Sequence, residues 1–276
     1  MSNTVVNTNV AALNSHRSIL AVGGRQARSA ERLSSGQRIN RAADDAAGLA
    51  ISEGMRNQIR GLDQAGRNAQ DGISLVQTAE GALEEVHRIL ERGRVLINQA
   101  ANDTNDTTDR ELINTELTQL NAELSRIVET TQFNGMNLLD GAHTSFNIQA
   151  GANSNQTITI NLADQTAGIV TAASTSMVAT GDHDTINARL AEMDTIINHV
   201  NTTRANLGAY QNRLEHTINS LSVASENTSA ANSRIRDTDM AAEMMAFTQA
   251  NVLQQAGMSM LAQANQAPQN ILQLVG

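Results

Sequence analysis

The sequence predicts a mainly α fold: an elongated antiparallel helical coiled-coil bundle carrying a small β-hairpin, with paired N- and C-terminal helices. Three observations predict it. Pro268 is the single proline among 276 residues, so no ring interrupts a helix before it. Phe133, Phe146, Phe247 and Tyr210 are the whole aromatic supply although 40% of the chain is hydrophobic, which suits a thin core of Ala, Leu, Ile, Val and Met. Hydrophobic residues also recur every seven positions over long stretches, the spacing of a coiled-coil seam.

At the front, Val6, Val10, Leu13, Leu20 and Ala27 mark one helix with an apolar stripe and no sequence-local partner. The ladder Leu62, Ala69, Val76, Leu83, Leu90, Ile97, widened by Ile73, Ala79, Val86 and Ala101, predicts a long helix over about 57–102 that ends at the polar loop NDTNDTTD. Thr108 and Glu111 read as a capping box opening a second helix, 108–129, with Leu112, Leu117, Leu120, Leu124 and Ile127 on its apolar side. Its direction reverses across a short loop, so it packs antiparallel to the first. QFNGMNLLDG stops the helical pattern. Residues 145–162 alternate through Phe146, Ile148 and Ala150, then Ile158, Ile160 and Leu162 across the loop AGANSNQ, which predicts a β-hairpin. Residues 163–181 are small and hydroxyl-rich and read as a surface loop. Ile186, Leu190, Met193, Ile197, Val200, Leu207, Leu214, Ile218 and Leu221 then predict a third long helix, 184–232, broken only by Arg204 and Gln211. Met244, Phe247, Met258 and Leu261 stripe a last helix. A lone helix cannot bury such a stripe, so the two ends pair with each other or with other copies, and self-association follows as the expectation.

Composition excludes several function classes. With no cysteine there is no disulfide, thiolate nucleophile or thiolate metal site. Nineteen cations against 28 carboxylates give a net charge of −9 with no basic run, so no nucleic-acid partner is expected. The N-terminus lacks an apolar leader region and no segment is apolar for ~18 residues, so neither a cleaved signal nor membrane insertion is expected. H-E-x-x-H is absent, and His16, His87, His143, His183, His199 and His216 never fall four apart, so no metal, cofactor or enzymatic activity is expected. Every cation is arginine, which reflects either composition bias or an alkaline setting. On the second reading ordered assembly persists to about pH 10, where lysine begins to discharge and arginine does not, and its loss on the way there contradicts that reading.

The segments LSSGQRINRAADDAAGLAISEGMRNQIRGL and NAQDGISLVQTAEGALEEVHRIL, within 33–90, resemble bacterial flagellin. So do TQFNG at 131–135, QAGAN at 149–153, NRLEHTINSL at 212–221, SRIRDTDMA at 233–241 and LAQANQAPQNILQL at 261–274, in the right order along the chain. The resemblance implies a short flagellin without the variable outer domains: 1–43 and 235–276 forming a terminal helical polymerisation domain, and 44–234 an inner rod domain.

That resemblance further implies an extracellular filament subunit for swimming motility, exported through the flagellar type III apparatus. Its partners would be copies of itself in a homo-polymer, the filament cap, hook-junction proteins and an export chaperone. The alternative within the same system is a hook-filament junction protein. Terminal-helix polymerisation would rest on Val6, Val10, Leu13, Leu20, Met244, Phe247, Met258 and Leu261. In the connector, Arg38, Arg41, Asp44 and Asp45 read either as inter-subunit ion pairs or as ordinary intrachain charges. Leu90, Glu91, Arg92, Leu96, Gln99 and Glu116 match a segment through which a Toll-like innate receptor reads flagellins. Glu91 and Val95 depart from its usual form, so weakened recognition is expected. The resemblance offers O-glycosylation of Ser174, Thr175, Ser176 and Thr180; the simpler reading is a soluble loop.

Overall fold

The computed structural model describes residues 8–143, 145–162, 168–181 and 183–275, with side-chain surroundings as far as residue 266. Six helices dominate: α1 (Val10–Ser35), α2 (Ala46–Ala100), α3 (Thr107–Thr130), α4 (Ile169–Ser176), α5 (His183–Arg236) and α6 (Met240–Val275). Between α3 and α4 lie two antiparallel two-stranded sheets, β1 (Gln132–Phe133) with β2 (Met136–Asn137) and β3 (Ser145–Gln149) with β4 (Thr157–Asn161). Residue contacts divide the chain into a terminal unit, 1–57 with 227–276, and a central unit, 58–226.

The core of the central unit is the heptad ladder read from sequence. Leu62, Ala69, Val76, Leu83, Leu90 and Ile97 are all buried on α2, as are Ile73, Ala79, Val86 and Ala101 beside them. From Ala69 onward they form one cluster with Leu117 and Leu124 of α3, Ile158 and Ile160 of β4, and Ile186, Met193, Val200, Leu207 and Leu214 of α5. Helix α5 runs antiparallel to α2: Arg94 bonds Asp194 at 2.5 Å, while further back along α2 Asp63 accepts from Ser225 at 2.9 Å. The β3–β4 hairpin pairs Phe146 with Ile160 and Ile148 with Ile158, and Ile158 and Ile160 turn inward in strict alternation. Gly61 admits the hairpin loop, since a Cβ there would sit 2.8 Å from that of Ala152.

Four local expectations need correction. Helix α2 starts at Ala46, well ahead of the expected start near 57, because Asp45 caps it by accepting from the Gly48 amide at 2.8 Å, and a short cap outweighs a missing heptad. The α3 cap is Asp106, which accepts from the Asp109 amide at 2.8 Å; Thr108 lies inside the helix and forms no capping box with Glu111. Leu112 is 67% exposed; Ile113 takes the seam position because it keeps the four-then-three step to Leu117 and Leu120. The expected loop 163–181 contains α4, whose Ile169 and Ala173 enter the core and whose Ser176 is buried and donates to Glu192 at 2.8 Å. Ser174, Thr175 and Thr180 of the hydroxyl cluster remain exposed; residues 163–167 lie outside the described residues. No described helix is long and apolar enough to cross a membrane.

Candidate functional site: the terminal helices and their connector

The stretch after α1 holds the terminal unit together. Gly36 takes a left-handed φ of 69° and ends α1, its amide donating to Arg32 O at 2.8 Å. Just beyond α1 the chain meets the end of α5: the Arg38 amide donates to Arg236 O at 2.6 Å, the Thr238 amide to Gly36 O at 3.1 Å, and the Arg38 guanidinium to Ile235 O at 2.5 Å. The Arg236 side chain, 12% exposed, donates through Nε to Gln37 at 3.0 Å and forms an ion pair with Glu53. Ile39 and Ser52 are buried in the same place.

The charges singled out from sequence are engaged within the chain. Arg41 pairs with Glu31 at 2.9 Å, Asp44 accepts from the Arg41 and Asn40 amides at 3.0 and 3.2 Å, and Asp45 caps α2. The Arg236 hydrogen bond holds the Glu53 carboxyl below its ordinary range, and the Arg41 and Asn40 amides do the same for Asp44. A lowered folded-state pKa stabilises above the unfolded value and is lost as pH falls through the folded one. The terminal unit is therefore expected to loosen as pH falls through and below the ordinary carboxylate range, and Glu53→Gln to flatten that pH dependence. Thermal melts of the two chains across this range check it.

Helix α1 lies antiparallel to α6. Asn9 donates to Ala264 O at 2.7 Å, Gln26 to Asn251 at 2.5 Å, and Arg32 pairs with Glu243 at 3.7 Å. Among the described side chains the seam is thin: Val22 and Ser29 are the buried residues of α1 and Ala250 that of α6, with Gly257 making room for Ile19, whose Cγ1 would be 2.9 Å from an added Cβ. Phe247 and Leu261 are half-buried.

Most of the stripe read from sequence faces elsewhere. Val10, Leu13 and Leu20 are 57, 57 and 63% exposed, and Met244 and Met258 are 50 and 53% exposed, while Val6 lies outside the described residues. Met240, Met245, Val252, Leu253 and Met260 of α6 are also exposed, as is Ile51. Among the described residues every exposed large hydrophobic except Val95, Leu112 and Val223 belongs to the terminal unit. Met244, Met245, Val252 and Leu253 line one open apolar groove. Stepped at 100° per residue, the exposed apolar side chains of α6 spread well beyond the side that faces α1 and leave only a narrow polar strip of Thr248, Gln255 and Ser259, and so wide an apolar surface is normally buried.

The segment matched to receptor recognition splits by burial. Leu90 and Leu96 are core residues. Arg92 and Glu116 meet on the surface at 2.7 Å across α2 and α3, Glu91 lies 3.2 Å from His87, and Gln99 is exposed. Gly93 is a packing notch, since a Cβ would come within 2.8 Å of Met177 Cε and 3.2 Å of Met193 Cε.

Sequence reasoning missed Glu53, Gln37 and the Gln26–Asn251 pair, whose partners lie far off along the chain. It also missed Met245, Val252, Leu253 and Met260; counting apolar residues on every face of α6 would have found them. Among the described residues no group of three or more His, Asp or Glu could hold a metal ion.

The profile of the bacterial flagellin N-terminal helical region matches residues 6–144, and that of the flagellin C-terminal helical region matches 190–275. A flagellin of Halalkalibacterium halodurans is 52% identical over 273 residues, covering 98% of this chain and 99% of its own. One from Bacillus subtilis is 49% identical over 302, with the same coverage. The solved structure of a putative flagellar hook-associated protein from Vibrio parahaemolyticus shares the fold, with a TM-score of 0.60 at 14% identity over 70% of this chain and 100% of that one.

Proposed function

The chain belongs to the bacterial flagellin family and is a structural subunit of the extracellular flagellar filament; from that premise we propose that the uncovered faces of α1 and α6 are where copies join. One observation carries this reading: exposed apolar side chains extend around most of α6, outside a narrow strip of Thr248, Gln255 and Ser259, and α1 covers only the side holding Phe247, Ala250, Gly257 and Leu261. Assembly buries the remainder, and each large apolar side chain removed from water contributes about 1.5–3 kcal/mol. The role is mechanical rather than catalytic.

Leu20→Asp and Val252→Asp test it. Each places a charge where an apolar contact forms, so the critical concentration for polymerisation should rise at least about tenfold. The thermal transition of the central unit should not move. Unchanged polymerisation of both variants, measured by sedimentation, contradicts the assignment.

Export as a largely unfolded chain fits the thin α1–α6 seam, whose few buried residues leave a helix pair marginal before assembly. A chaperone that covers the α6 apolar faces before export fits the same surface, and the filament cap and hook-junction proteins complete the set of partners. For a Toll-like receptor, the Arg92–Glu116 pair with Glu91 and Gln99 forms the exposed part of the matched segment, and Leu90 and Leu96 support it from below. The junction-protein alternative rests on a fold shared at 14% identity, far below the identity to flagellins.

A further inference from the structure

Five of the ten methionines lie exposed on α6: Met240, Met244, Met245, Met258 and Met260, from 48 to 69% open to solvent. Met177 and Met193 are shut in the central core at 2 and 0%. Met55 and Met136 are half-buried, so among the described residues the exposed thioethers all lie on the assembly helix. We propose that the α6 methionines are a modification site for peroxide-class oxidants, where sulfoxidation of the free subunit blocks its incorporation and burial in the filament prevents the reaction. The proposal rests on the assembly reading above.

The step is an oxygen-atom transfer. A sulfur lone pair attacks one peroxide oxygen, the O–O bond breaks, an S=O bond forms, and the remaining oxygen leaves as water; sulfur is oxidised by two electrons and the peroxide is reduced by two. The product is a strong hydrogen-bond acceptor where the thioether was a soft apolar filler. In water this costs nothing, so the oxidised monomer keeps its fold. In a contact between copies the sulfoxide oxygen loses water among Val252, Leu253, Leu13 and Leu20, and in the groove only Gln249 offers a donor beside the Thr248 hydroxyl, which already donates to Met244 O. Met244 and Met245 bear on this most directly, since both line the open groove with Val252 and Leu253.

The full chain is treated with hydrogen peroxide as a monomer and as preformed filaments, oxidised methionines are mapped by peptide mass spectrometry, and the critical concentration is measured with seeds. In the monomer the five α6 positions should oxidise well before Met177 and Met193, with the critical concentration rising at least about tenfold. Methionine sulfoxide reductase should return it to the untreated value. In filaments the same positions should react several-fold more slowly. With the five converted to leucine, peroxide should leave the critical concentration at that variant's own untreated value, and rescue of the oxidised parent by the reductase reads the same effect without any substitution. Unchanged assembly of fully sulfoxidised chain, or equal oxidation rates in monomer and filament, overturns the proposal. Failure of the untreated chain to assemble would instead overturn the assembly reading, and this proposal with it.

Discussion

A chain ending at Met244 is expected to stay dispersed at concentrations where the full chain forms filaments, while its central unit melts as before. Removing 245–276 deletes most of α6, including Val252, Leu253, Met258 and Met260, and strips α1 of the partner that covers Val22. Burying even two such side chains is worth on the order of 3–6 kcal/mol, so losing them raises the critical concentration by roughly a hundredfold or more. The central unit has its own core from Ala69 to Leu214 and contains none of the deleted residues. Deleting residues 1–30 should act in the same way by removing Val10, Leu13 and Leu20. Circular dichroism and sedimentation of the two truncated chains check both halves; a truncated chain that still grows filaments refutes the assignment.

The second large effect is in the central core. Leu117 is fully buried, whereas Leu112, one and a half turns earlier on the same helix, is 67% exposed. Leu117→Ala should cost about 2–5 kcal/mol through lost burial and the cavity left behind. Leu112→Ala should stay within about 0.5 kcal/mol of the parent. Thermal unfolding of the pair separates them, and comparable losses at both positions would show that the α3 seam has been misplaced.

These two leucines also show what the sequence could and could not convey. The α2 ladder was legible because a seam of one long helix repeats locally, and every residue of it lies where the period puts it. On α3 the same reasoning chose Leu112, since a leucine's hydrophobicity says nothing about which of two overlapping registers the partner helix accepts; Ile113 fits the four-then-three step. Helix α4 was invisible because its eight residues, β-branched or hydroxyl-bearing apart from Ala172 and Ala173, have weak helix preference alone, and Ile169 and Ala173 become anchors only against a core formed elsewhere.

At the termini the sequence showed that apolar stripes exist but not which face pairs inside the chain. The α1 seam runs through Ile19, Val22, Gln26 and Ser29, two of them polar, so hydrophobicity alone selects the opposite, open side. The connector was recognisable as a dense run of charge. Its tie to the end of α5 depends on Arg236 meeting Gln37 and Glu53 across separations of 199 and 183 residues, which no local period encodes.

The most direct test of self-assembly through the terminal helices is negative-stain electron microscopy of the purified full chain at rising concentration, with and without short filament seeds. Long uniform filaments that lengthen from the seeds are the predicted result. A chain that stays monomeric with seeds present, at concentrations well above those at which its relatives' seeds grow, would contradict it.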